Sequence, residues 1–125
     1  MISILLAGEN RDNLSELATT LKNNNMNIDW ADSGNSALAM IKEKKFDLVI
    51  TDKKLVDMTG RKLIEEIISI NAMMNCIAVS DLSPKDFHEE FEGLGVLMQL
   101  PINPGKKEAY DLIEYLKKVL NLTGN

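Results

Sequence analysis

An aspartate closes the apolar run Asp47-Leu48-Val49-Ile50-Thr51-Asp52, and Asp57-Met58-Thr59-Gly60 follows close behind. A run this short, flat in polarity and rich in β-branched residues suits a central parallel strand covered on both faces. Such a strand delivers its last residue to the carboxyl edge of an open α/β sheet, where these folds place their chemistry. Asp52 is therefore a site candidate, weighed against an ordinary strand-end acid.

The rest of the chain supplies the elements that must hold Asp52 in place. Ile2-Ser3-Ile4-Leu5-Leu6-Ala7 is strand-like, and Leu14, Leu17, Ala18 and Leu21 then recur at helical spacing until Asn23-Asn24-Asn25 breaks the pattern. Asn27 to Ala31 offers a second strand, with Met26 and Trp30 as packing residues, and Ser33 caps a helix carrying Ala37, Leu38 and Ile41. Beyond the Asp47–Asp52 strand, Leu63, Ile64, Ile67 and Ile68 mark a third helix. Cys76 to Val79 forms a fourth apolar run, after which Ser83-Pro84-Lys85-Asp86 combines capping-box spacing with a proline at the first helical position. Phe87 and Phe91 share one face of that helix, and Gly93 and Gly95 end it. Val96 to Leu100 reads as a fifth strand stopped by Pro101, and Asn103-Pro104 opens a last helix striped with Ala109, Leu112, Ile113, Leu116, Val119 and Leu120.

The expected fold is a (βα)5 doubly wound, five-stranded parallel sheet over residues 1–121, with 122–125 a tail or the start of a linker. Right-handed crossovers bring the loops after the first, third, fourth and fifth strands to one edge, so the functional residues should lie there.

Composition narrows the functions. The 125 residues, 45% of them hydrophobic and 26% charged, make one ordinary globular domain able to bury a core without disulfides. A net charge of −5, with basic residues interspersed among acids, argues against direct nucleic-acid binding. The start of the chain has neither a basic region nor a long apolar segment, so no signal peptide or membrane span is expected and the cytoplasm is the default compartment. Cys76, flanked by Ile77, Ala78 and Val79, reads as a small apolar strand residue. Ala7-Gly8-Glu9-Asn10-Arg11 carries no glycine-rich dinucleotide fingerprint or hydroxyl-rich phosphate loop, and no GxxxxGK motif occurs, which argues against nucleotide and flavin binding. His88, the lone histidine, sits beside Glu89-Glu90 away from the strand-end edge and reads as solvated, so a Ser/His/Asp catalytic set has no support. Asn121-Leu122-Thr123 fits a glycosylation pattern only as a three-residue match in a chain with no sign of export.

From Ser3 to Leu120 the sequence resembles a receiver domain of the two-component response regulators, a flavodoxin-like fold. The resemblance places the phosphoacceptor at Asp52, a switch hydroxyl at Ser80, and Mg²⁺ on Glu9, Asp52 and the backbone carbonyl of Lys54. It also implies a sensor histidine kinase or another signalling protein as partner, and a homodimer face made by the fourth helix, fifth strand and fifth helix.

Four positions depart from the family pattern. Gly8 stands where one acid of a metal-holding pair is usual, and Glu9 is a methylene longer than the usual aspartate, so Mg²⁺ is expected to bind weakly. Leu100 replaces the lysine that would pair with phosphoryl oxygens. Asp81 follows Ser80 where a small residue is common and would repel an incoming phosphoryl group. Leu97 takes the place of the aromatic switch residue.

Two readings follow. One is a phosphorelay receiver with impaired phosphorylation at Asp52, not an enzyme beyond slow self-phosphorylation and dephosphorylation. The other is a phosphorylation-independent pseudo-receiver that works as a protein interaction module. In its sharper form, Lys53 or Lys54 pairs with Asp81 or Asp52 in place of the metal and phosphoryl charges.

Overall fold

A computed structural model describes residues 1–120 of the chain. The expected sheet is present: β1 (Ser3–Ala7), β2 (Asn27–Ala31), β3 (Leu48–Thr51), β4 (Cys76–Val79) and β5 (Gln99–Leu100) run parallel in the order β2-β1-β3-β4-β5. Five helices connect and follow them: α1 (Ser15–Asn23), α2 (Gly34–Glu43), α3 (Gly60–Ile70), α4 (Pro84–Glu90) and α5 (Lys106–Val119). The tail assigned to 122–125 lies outside the described residues.

Alternation along buried strands builds two cores. Ile4, Leu6, Leu48, Ile50, Ile77 and Val79 pack toward α1 and α5. Leu5, Ala7, Val49, Cys76 and Ala78 pack toward α2 and α3. Because β1, β3 and β4 are buried on both faces, they need apolar side chains at successive positions, which gives their sequence its flat hydrophobicity.

Polar caps set where the helices begin. The side chains of Ser33, Thr59 and Ser83 accept the backbone N–H groups of Ser36, Lys62 and Asp86 at 3.0, 3.1 and 3.1 Å. Asn25, with φ of 67°, turns the chain out of α1 into β2, and Asn103, with φ of 53°, does so before α5.

Several boundaries differ from the sequence expectation. The first helix is preceded by a 3-10 turn, Arg11–Leu14, anchored by Asn10 accepting from the Asp12 N–H. β3 loses Asp47 and Asp52 at its ends; Asp47 instead uses its carboxylate to accept the Ser3 N–H at 2.9 Å. The fifth strand shrinks from Val96–Leu100 to Gln99–Leu100; ahead of it the Leu97 N–H still donates to the Cys76 carbonyl at 2.9 Å and the Met98 carbonyl accepts the Ala78 N–H at 3.4 Å, while Val96, Leu97 and Met98 pack partly buried against the cores. The last helix is capped not at Asn103-Pro104 but at Gly105, whose N–H donates to the Glu108 carboxylate at 2.7 Å. Gly93 and Gly95, at φ of 85° and 66°, lie beyond the end of α4, which closes at Phe91.

Candidate functional site

The sheet's carboxyl edge brings together Gly8 and Glu9 after β1, Asp52 to Lys54 after β3, and Ser80 and Asp81 after β4. Asp52 is held first by its backbone: its N–H donates to Ala7 across the sheet at 2.8 Å. Its side chain, left 7% exposed, accepts the Lys53 N–H at Oδ1 (2.8 Å) and the Asn13 side-chain amide at Oδ2 (3.1 Å). Both contacts are dipoles without net charge.

The nearby cations are turned elsewhere. Lys53 reaches over to Asp81, its Nζ standing 3.2 and 3.3 Å from the two carboxylate oxygens. Lys54 lies 3.9 Å from the Glu9 carboxylate rather than beside Asp81 or Asp52. One of the ion pairs offered by the sequence is therefore formed, and the second cation finds a different acid. Leu100 is buried among the α1 and α5 side chains, and Leu97 packs partly buried on the same side.

The segment after β4 is tied from three directions. Ser80 donates its N–H to Leu100 at 2.9 Å, and its Oγ accepts the Leu82 N–H at 3.0 Å, a local turn of the kind serine forms with its own backbone. The Gln99 side-chain amide donates to the Ser80 and Leu82 carbonyls at 3.3 and 2.8 Å. Asp81 is held by Lys53 as described. Ser80 thus sits beside the acceptor position in a loop already fixed by its neighbours.

Three further residues contribute without a local sequence signal: Asn13 lies in the 3-10 turn ahead of the helical pattern, Gln99 inside the apolar run expected as a regular strand, and Asp57 in the turn before α3. Asp57 accepts the Gly34 and Asn35 N–H groups at 2.6 and 3.0 Å, fastening the loop after β3 to the start of α2. Those two backbone hydrogen bonds hold its carboxyl below the ordinary value of 3.8. Gly60 lets α3 begin directly against β3, since a Cβ there would collide with the Asp52 carbonyl oxygen. Burial pushes the Cys76 thiol up to about 12, consistent with a packing role.

The oxygen set expected for Mg²⁺ fits that ion poorly. Mg²⁺ demands a near-octahedral shell of oxygens at about 2.0–2.1 Å. Here the Glu9 carboxylate faces an ammonium, and the Lys54 carbonyl accepts the Glu9 N–H at 3.1 Å. Gly8 adds no oxygen, and a Cβ in its place would stand 3.0 Å from the Asp52 Cβ, so an acid there would require Asp52 to shift. Among the described residues no three or more His, Cys, Asp or Glu side chains gather in a metal-holding group. His88 is exposed on α4, away from the pocket.

Comparison with known proteins agrees with this geometry at the level of family and fold. Residues 4–101 match the family model described as the response regulator receiver domain. A response regulator receiver protein of Anaeromyxobacter sp. (strain Fw109-5) is 28% identical over 97 residues, which is 78% of this chain and 41% of that protein. The transcriptional regulatory protein ZraR of Salmonella typhimurium is 30% identical over 66% of this chain and 19% of its own length. The chain thus spans less than half of the curated relatives it matches. The chemotaxis response regulator CheY4 of Vibrio cholerae superposes with a TM-score of 0.82 at 17% identity, covering 93% of this chain and 98% of the other.

Proposed function

This chain belongs to the response regulator receiver domain family, and we propose that it is a receiver-like signalling domain of a two-component phosphorelay in which phosphorylation of Asp52 is impaired. The observation that carries this reading is the direction of the cations: Lys53 serves Asp81, Lys54 leans toward Glu9, and Leu100 supplies none. Phosphoryl transfer to a carboxylate depends on positioning and on neutralising the charge of the transferred group. Here the group would arrive beside Asp81 with no free ammonium directed at it among the described residues. Receiver domains take Mg²⁺ at their acidic pocket, and in this one Glu9, Asp52 and the Lys54 carbonyl would hold it weakly. The ion would supply charge neutralisation there.

A second reading, a phosphorylation-independent interaction module, gains support from the loop of Ser80. That loop is already restrained by Gln99 and by the Lys53–Asp81 pair, so its position does not wait on a modified acceptor. Receiver domains interact with histidine kinases and other signalling proteins, and the same classes of partner are proposed here. A homodimer through α4, β5 and α5, no direct nucleic-acid binding, no catalytic activity beyond slow turnover at Asp52, and a cytoplasmic setting complete the proposal. No described helix is long and apolar enough to cross a membrane.

Incubation with Mg²⁺ and acetyl phosphate, followed by intact mass measurement, tests it. A small phosphorylated fraction that disappears in Asp52→Asn is expected. Rapid, near-complete acyl phosphate formation would overturn the impairment.

A further inference from the structure

Asp52 combines deep burial with the lack of any cationic partner among the described residues. Neutral donors from Asn13 and the Lys53 backbone reach its two oxygens, and the closest lysines in sequence are paired with other acids. A carboxylate removed from water gains strongly from an opposite charge placed beside it in a low-dielectric setting.

Next to it opens a cleft of about 310 Å³ between the start of α3 and the end of α4, at the small end of ligand-binding cavities. Ala78, Val79, Leu82 and Phe91 give this cleft apolar walls, while Asp52 and Ser80 bring polar groups to it. Its two basic lining residues are already engaged: Lys53 with Asp81, and Arg61 with Glu65 and Glu90. Arg61 also donates to the Glu90 carbonyl at 2.8 Å, bracing one wall. Asp52 is thus the lining carboxylate left without a cation.

We propose that this cleft receives the side chain of a lysine presented by a partner protein, its methylene stem along the apolar walls and its ammonium directed at Asp52 and the Ser80 hydroxyl. This deepens the partner-binding reading of the same site. A lysine stem has the length and apolarity to follow such walls while its head keeps polar company. The ammonium carries three donors, matching carboxylate and hydroxyl acceptors without demanding a metal's octahedron. The chain's net charge of −5 complements a basic protein segment carrying that lysine.

Titration of the ¹⁵N-labelled chain with Nα-acetyl-lysine methylamide, followed by amide NMR, tests the proposal. Saturable shifts centred on Lys53, Ser80, Leu82 and Phe91 are expected, weakened about tenfold or more in Asp52→Asn and in Leu82→Gln and unchanged in Asp29→Asn on the outer strand. The norleucine counterpart, which keeps the stem and lacks the charge, should leave those amides still. Equal shifts from norleucine, undiminished binding by Asp52→Asn, or tighter binding of the arginine counterpart would each overturn it. Impaired phosphorylation is judged separately by mass, so that reading and this one fail independently.

Discussion

The face covered by α1 and α5 and the edge formed by α4 and β5 are built on different terms. On the first, Leu6, Leu14, Leu17, Leu21, Leu112 and Leu116 are fully buried in one continuous cluster. At the second, α4 has no buried residue, β5 is two residues long, and the chain between them passes through two glycines at positive φ. That edge is held by the partly buried packing of Phe87, Phe91, Leu97 and Met98 together with polar ties from Gln99, Arg61 and Lys53. Asp52 and Ser80 stand where the two regions meet. Apolar packing thus fixes the acceptor's backbone, while exchangeable contacts set the loop that faces it, and regions of the second kind open at lower free energy.

The sharpest contrast should appear in side-chain truncation. Ile50→Ala, at the fully buried centre of β3, is expected to cost about 2–5 kcal/mol in urea unfolding, while Phe87→Ala on the partly buried face of α4 should cost about 1–2 kcal/mol. Equal losses would erase the distinction between the regions.

A smaller effect concerns acid. Asp57 has a lower pKa folded than unfolded, so the unfolded chain binds more protons between the two values. Its contribution is complete above the ordinary value of 3.8 and disappears as pH falls through the lowered one. Denaturation of Asp57→Asn should therefore show a shallower loss of stability below about pH 4 than the unaltered chain. An unchanged acid limb would mean that the loop after β3 is not fastened to α2 in solution.

The smallest change belongs to the exposed pair at the α4 edge. Lys53→Met should shift stability by less than about 1 kcal/mol, since exposed ion pairs are worth little. Hydrogen exchange at Leu82, whose N–H is held by the Ser80 hydroxyl, should nevertheless quicken. A stability loss several times larger would make this tie part of the rigid face instead.

Much of the rigid face was legible in the sequence because burial on both sides leaves a continuous apolar signature, as in Leu48 to Ile50 and Cys76 to Val79. Ser33 and Ser83 announced their helices through cap chemistry that acts three residues away. The α4 edge was harder: Val96, Leu97 and Met98 look like a strand, and Leu97 and Met98 do bond to β4 through their backbones, yet apolar character alone does not reveal where regular strand geometry begins. Asp52's supporting contacts divide in the same way. The Lys53–Asp81 pair could be anticipated because each residue directly follows the site residue of its own strand. Asn13 and Gln99 act through side-chain amides whose partners depend on tertiary placement, for which local periodicity carries no signal.

The strand order has a further consequence for how the chain assembles during synthesis. β1 is flanked by β2 and β3, and its Ile4 pairs with Leu48, so a ribosome must release the third strand before the first has both neighbours. Until then a largely apolar strand keeps one hydrogen-bonding side open, which makes the early nascent chain the stage at which chaperone protection matters most.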